Sequence, residues 1–228
     1  MQASTQKCRQ YGHREISVEC KDASALAPGL RSFLEWIESE VAGGRRFLPE
    51  QTIQFGWSIL KIHQRTDDTL GLSEPDFQSM PIKFVDSVSN TLLHLLIQKS
   101  VVESLGLDQE LALPSLLHSA IICDEFGSAE GFVMSRVTPN ANDTGWFFGC
   151  DDPAHNHQSH DSLRRVSVYE AVTCYDDRIL PFLGLPAETF VGFSGTVPFF
   201  SRGETELVIR PGSYLHRKYV ENERDPMQ

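Results

Sequence analysis

The chain has 228 residues, 40% of them hydrophobic and 22% charged, and its 20 Lys and Arg stand against 31 Asp and Glu for a net charge of −11. At about 150 residues per domain this is one large domain or two small ones, long enough for a core without disulfide or metal staples. The composition excludes disordered, coiled-coil and collagenous chains. The acidity argues against non-specific nucleic-acid binding, since phosphate would be repelled, and suits a basic protein partner or a cation.

Met1 to Gly12 contains no apolar run of the secretory kind. Leu92 to Leu105 is interrupted by His94, Gln98, Lys99 and Glu103 and is too short and polar for a bilayer span. Cys8, Cys20, Cys123, Cys150 and Cys174 are odd in number and form no CxxC pair, as expected of free thiols in a reducing cytosol. The expected location is cytoplasmic.

In chain order, Leu30, Phe33, Leu34, Ile37 and Val41 recur at helical spacing, with Pro28 at the start and Gly43-Gly44 at the stop, and predict a helix from Pro28 to Ala42. Ile53, Phe55, Trp57 and Ile59 alternate with smaller or polar residues and predict one half-buried strand, with a register shift at Leu60. A further strand is expected at Leu70–Ser73. Pro81 to Leu105 reads as a helix stopped by Gly106, apolar all round between Leu92 and Val102 and so expected between two layers. Asp108 to Pro114 is the expected boundary.

Short strands are then predicted at Ser119–Cys123, Phe132–Thr138 and Gly145–Gly149, joined by the acidic loop Asp124–Gly131 and the turn Pro139–Asp143. Ser167 and Glu170 have capping-box spacing and open a short helix through Val168, Ala171, Val172 and Tyr175. Later strands are expected at Ala187–Phe193 and Glu206–Arg210, then a polar tail. The pattern predicts an α+β fold with mainly antiparallel sheets and two small subdomains, 1–112 and 113–216, followed by a tail at 217–228.

Candidate chemistry concentrates between Asp124 and Asp177, where three basic residues face ten acidic ones. Asp151, Asp152, His155, His157, His160 and Asp161 bring three imidazoles and three carboxylates into eleven residues. These are ligand types for zinc, and a metal-dependent hydrolase using His155, His157 and His160, with Asp152 or Asp161 as base, is the alternative reading. The preferred reading of the segment is a polar surface loop, with no metal and no cofactor. Cys150 precedes two aspartates that oppose a thiolate, so Cys123 and Cys150 are read as idle thiols. Walker, GxGxxG and GxSxG motifs are absent. Glu74 with Asp76 and Asp176 with Asp177 are read as solvated loop acids. Trp146 and Phe148 point to one side of their strand and Phe147 to the other, leaving one aromatic as a possible interface anchor.

The run Asn142-Asp143-Thr144-Gly145-Trp146-Phe147-Phe148-Gly149-Cys150-Asp151-Asp152, followed by Ile179-Leu180-Pro181-Phe182-Leu183, resembles bacterial immunity-protein family thirty-three of the polymorphic-toxin systems, over residues 113–202. Two departures stand out: Cys150 separates Gly149 from the acidic pair, and the His-rich stretch Pro153–His160 is atypical. The resemblance implies a non-enzymatic protein, without catalytic residues, that binds and neutralises a cognate toxin delivered by a type VI or similar system. A cytosol-acting nuclease with a basic cleft is the expected toxin, and neither nucleic acid nor membrane is bound directly. The expected partner-binding residues are Asp143, Trp146, Asp151, Asp152, His155, His157, His160 and Asp161.

Overall fold

The computed structural model describes residues 1–21, 23–157 and 159–221. The chain divides into two compact units, Met1–Leu96 and Ile97–Gln228. Its architecture is α+β, with helices and two mostly antiparallel sheets. Among the described residues no helix is long and apolar enough to cross a membrane.

The first unit contains β1 (Gln2–Ser4), β2 (Ile16–Glu19), α1 (Ala23–Ala42), β3 (Thr52–Phe55), β4 (Ser58–Gln64), β5 (Leu70–Pro75) and β6 (Phe84–Val85). The sheet runs β1-β2-β5-β4-β3, with β6 added to β5. The pair β2–β5 is parallel, the others antiparallel. Helix α1 buries Leu26, Leu30, Phe33, Ile37 and Val41 in one core with Ile16, Val18, Ile53, Leu60, Ile62 and Leu72. It starts five residues before Pro28, because Leu26 continues the apolar stripe one turn earlier and Pro28 itself lies on the exposed face.

Four expectations fail here. The alternation from Ile53 to Ile59 is a hairpin: Phe55 pairs with Ser58, and Gly56 turns the chain at a φ of 57°. Cross-strand partners share a face, so Ile53 lies with Leu60 and Phe55 with Ser58, while Ile59 falls on the opposite face; the register shift at Leu60 is the trace of this reversal. The helix expected from Pro81 begins only at α2 (Ser89–Ser104), after β6. Its start is set by Glu74 on β5, whose buried carboxylate accepts hydrogen bonds from the backbone N–H of Asn90 and Thr91 at 3.1 and 2.7 Å. Glu74 is therefore a helix cap and not a solvated loop acid. Nor is α2 buried all round. Leu93 and Leu96 are exposed, while Gln98 is buried and donates to the Leu180 carbonyl at 3.0 Å.

The second unit holds β7 (Ser119–Cys123), β8 (Phe132–Arg136), β9 (Asp143–Cys150), β10 (Leu163–Ser167), β11 (Thr189–Phe193), β12 (Phe199–Arg202) and β13 (Thr205–Glu206). The sheet order is β10-β7-β9-β8-β11-β12-β13. Strand β9 lies inside it, parallel to β7 and antiparallel to β8. Ser167 caps the turn Val168–Glu170 by accepting from the Glu170 N–H at 3.1 Å, as its spacing predicts. The strand expected at Glu206–Arg210 is only the two-residue β13. The polar tail expected from 217 is helical to Glu221, and 222–228 fall outside the described residues.

Candidate functional site

Strand β9 carries the motif, and its physics explains the motif residue by residue. Asp143 opens the strand by accepting from the Gly145 N–H at 2.8 Å. Gly145 sits at a φ of 73°, and a Cβ there would collide with the Val137 carbonyl oxygen, so only glycine fits. Trp146 is 1% exposed and donates through Nε1 to the Leu183 carbonyl at 3.2 Å. It stacks on Phe148 and lies 5.3 Å from the Arg136 guanidinium carbon. Arg136, on β8, is itself buried and donates to the carbonyls of Thr144, Ala112, Leu183 and Leu185. Burial pushes its guanidinium down to about 10, which leaves it charged at neutral pH.

The second motif meets the first at Leu183, whose carbonyl takes bonds from both Trp146 and Arg136. Ile179, Leu180, Phe182 and Leu183 are all buried. The two stretches thus form one clasp. Trp146 is core, so it supports a surface from beneath and presents no ring to a partner.

The residues expected to form one binding surface separate to the two ends of β9, about 20–25 Å apart for eight extended residues. At the opening end, Asp143 is engaged internally, paired with Arg165 and accepting from Ser119 Oγ at 3.1 Å. Burial works against its ionisation, but the hydrogen bonds from Gly145, Arg165 and Ser119, with the Arg165 charge, hold its carboxyl below the usual range.

At the closing end the acids gather. Asp151 lies against Gly131, where a Cβ would strike its carboxylate. Asp152 caps the following loop by accepting from the Ala154 N–H at 2.8 Å. Asp176 is buried and held by a forked pair with Arg178 at 2.6 to 3.0 Å, so it too is not a solvated acid. Asp124, Glu125, Asp152, His160, Asp161 and Asp177 are exposed. Among the described residues Asp152 and Asp161 form no ion pair. An open groove of about 360 Å³ lies among Asp124, Glu125, Asp152 and His155, with Cys150 in its lining.

Cys150 and His155 in that lining belong to a grouping the sequence reading missed. Ligand-type atoms of Cys123, Cys150, His155 and His157 all lie within 4.8 Å of one another. Cys123 and Cys150 end the parallel neighbours β7 and β9, so the sheet places the two thiols side by side although 27 positions separate them. Cys150 Sγ is 3.3 Å from His157 Nε2, and the Cys150 N–H donates to Cys123 Sγ at 3.2 Å. His155 stacks on His157, and its Nε2 is 3.2 Å from Asp124 Oδ1. Phe147, on the outer face of β9, packs edge-on to His157. Burial pushes the Cys150 thiol up; burial and then the neighbouring His155 push His157 down. His160 is not in the group, and Gln158 falls outside the described residues.

The second unit is thus a sheet with a buried clasp beneath its inner strand β9 and an acidic rim at that strand's closing end. Residues 97–196 match the family model of the Imm33-like domain, which bears out the resemblance to immunity-protein family thirty-three. The match opens where the second compact unit opens. Neither a curated protein nor a solved structure matches the chain.

Proposed function

We propose that this protein is an immunity protein that binds and neutralises a cognate antibacterial toxin in the cytoplasm, with no catalytic residues of its own. The observation that carries this reading is the Imm33-like match over 97–196. The docking surface is the closing end of β9, with Asp124, Asp151, Asp152, His160 and Asp161 as its polar contacts. Asp143 and Trp146 are left out because their side chains are already engaged inside the unit. An interface of standard size, roughly 800 Å² per partner, would cover this end of the sheet.

The acid rim favours a basic partner, and a nuclease cleft built to hold phosphate is the natural complement. The family resemblance supports delivery of that toxin by a type VI or similar system. The hydrolase alternative finds less support. A catalytic metal keeps an open position, whereas here two cysteines stand beside His155 and His157, and His160 lies outside the group.

The test is co-expression with the product of the adjoining gene in a sensitive bacterium, joined to association kinetics on the purified pair. Growth is expected to be rescued. Asp152→Lys with Asp161→Lys is expected to slow association about tenfold at low salt and to flatten its salt dependence. Toxicity that the wild-type chain does not relieve overturns the immunity reading. Rescue with an unchanged association rate moves the docking surface elsewhere.

A further inference from the structure

We infer that Cys123, Cys150, His155 and His157 form a closed, four-coordinate zinc site that folds the loop after β9. This inference stands on the ligand geometry and does not depend on the toxin-binding reading.

Three observations carry it. The first is donor chemistry. Two thiolates and two imidazoles are a standard structural set for zinc, a borderline-soft ion without redox chemistry. The second is spacing. With Zn–S near 2.3 Å and Zn–N near 2.0–2.1 Å, a tetrahedral site puts sulfur and nitrogen about 3.5 Å apart. Cys150 Sγ and His157 Nε2 are already 3.3 Å apart, and all four donors fit within 4.8 Å. The third is the setting. Both cysteines are fully buried, one sulfur accepts a backbone N–H, and Asp124 contacts His155 as outer-shell carboxylates contact ligand histidines.

The loop also requires such a staple. Between Asp151 and Asp161 the only apolar side chains are Pro153 and Ala154, so the segment has no core of its own. Among the described residues it is held by local polar bonds, such as the Asp152 cap, Ser162 Oγ donating to the carbonyls of Asn156 and Ser159 at 2.9 Å, and the backbone turn from the His155 N–H to the Asp152 carbonyl at 3.1 Å. An ion joining two strand ends to two loop histidines replaces burial as the ordering force, at the cost of releasing the two thiol protons. All four protein ligands are used, so the site is structural and carries no bound water to activate. Its role is to hold Asp151, Asp152 and Asp161 in place on the rim.

The experiment uses the full chain without a polyhistidine tag, purified under reducing conditions, with zinc counted by elemental analysis after exhaustive dialysis. One zinc per chain is expected. Cobalt added to the stripped protein should give intense tetrahedral visible bands and a thiolate charge-transfer band. Cys123→Ser and Cys150→Ser should each weaken binding by more than about 100-fold, beyond the loss typical of an outer-shell partner. Cys174→Ser and His160→Ala should bind as the wild type does. The proposal is overturned by a wild-type chain with no zinc above background and a cobalt spectrum lacking thiolate charge transfer. Zinc retained in both cysteine variants also overturns it, as does an intact mass showing a Cys123–Cys150 disulfide in the protein as isolated. The cobalt spectrum is read on the wild type, so the test survives a variant that fails to fold.

Discussion

The two ends of β9 carry similar residues and use them in opposite ways. At the opening end Asp143 is absorbed by Gly145, Ser119 and Arg165, and its charge shapes a turn. At the closing end Asp152 and Asp161 remain exposed, while Asp176 is buried and held by Arg178. A motif with acids at both ends thus divides into a structural half and an available half. What separates the halves is whether a cation and a backbone donor are already within reach.

The largest test of this division lies beneath the strand. Arg136→Met removes a donor from four carbonyls, of which Leu183 keeps its bond from Trp146, and the cation over Trp146. Each buried acceptor left without a donor costs about 1–3 kcal/mol, so a loss of about 3 kcal/mol or more is expected, read as a lower urea midpoint. A loss under about 1 kcal/mol would mean that the clasp is not what holds the two motifs together. Next in size is Gly145→Ala. A left-handed φ and a collision with the Val137 carbonyl together cost about 2–3 kcal/mol by the same measurement. If the variant is as stable as the wild type, the opening end tolerates change and the comparison fails there.

How much of this could be read beforehand differs between the halves for a physical reason. Local rules work where the determinants are local. The Ser167 cap, the opposite faces of Trp146 and Phe147 and the stripe of α1 all follow from spacing within a few residues. The first-unit strands β1 and β2 were missed because three or four residues carry too little pattern, and pairing with β5 decides them. Glu74 looked like a loop acid because the helix N-terminus it caps begins fifteen residues later. The Cys–His group was hidden in the same way. His155 and His157 are visible as a pair, but Cys123 comes from a strand that only parallel pairing sets beside Cys150. The departures from the family pattern, a cysteine before the acidic pair and a His-rich stretch after it, were the available signal. Read together they place three of the four donors within eight residues.

The smallest expected effect compares single charges at the two ends. Asp143→Asn keeps a turn acceptor but loses the charge that Arg165 faces, and is expected to cost about 1 kcal/mol at neutral pH. Asp161→Asn, exposed and without an ion pair among the described residues, should stay within about 0.5 kcal/mol. The pH dependence sharpens the contrast. The Asp143 carboxyl ionises more readily in the folded chain than in the unfolded one, where its pKa is about 3.9. The unfolded state therefore takes up the proton first as pH falls. The stability due to Asp143 is complete above about pH 4 to 5 and disappears as pH drops through the lower folded value. Removing this carboxylate should flatten the acid limb of stability against pH, and the variant should converge on the wild type at the lowest pH. Urea midpoints measured from pH 7 down to pH 3 on the wild type, Asp143→Asn and Asp161→Asn decide it. Parallel acid limbs for the wild type and Asp143→Asn would show that the Arg165 pair adds nothing, and that the opening-end acid is as free as those at the far end.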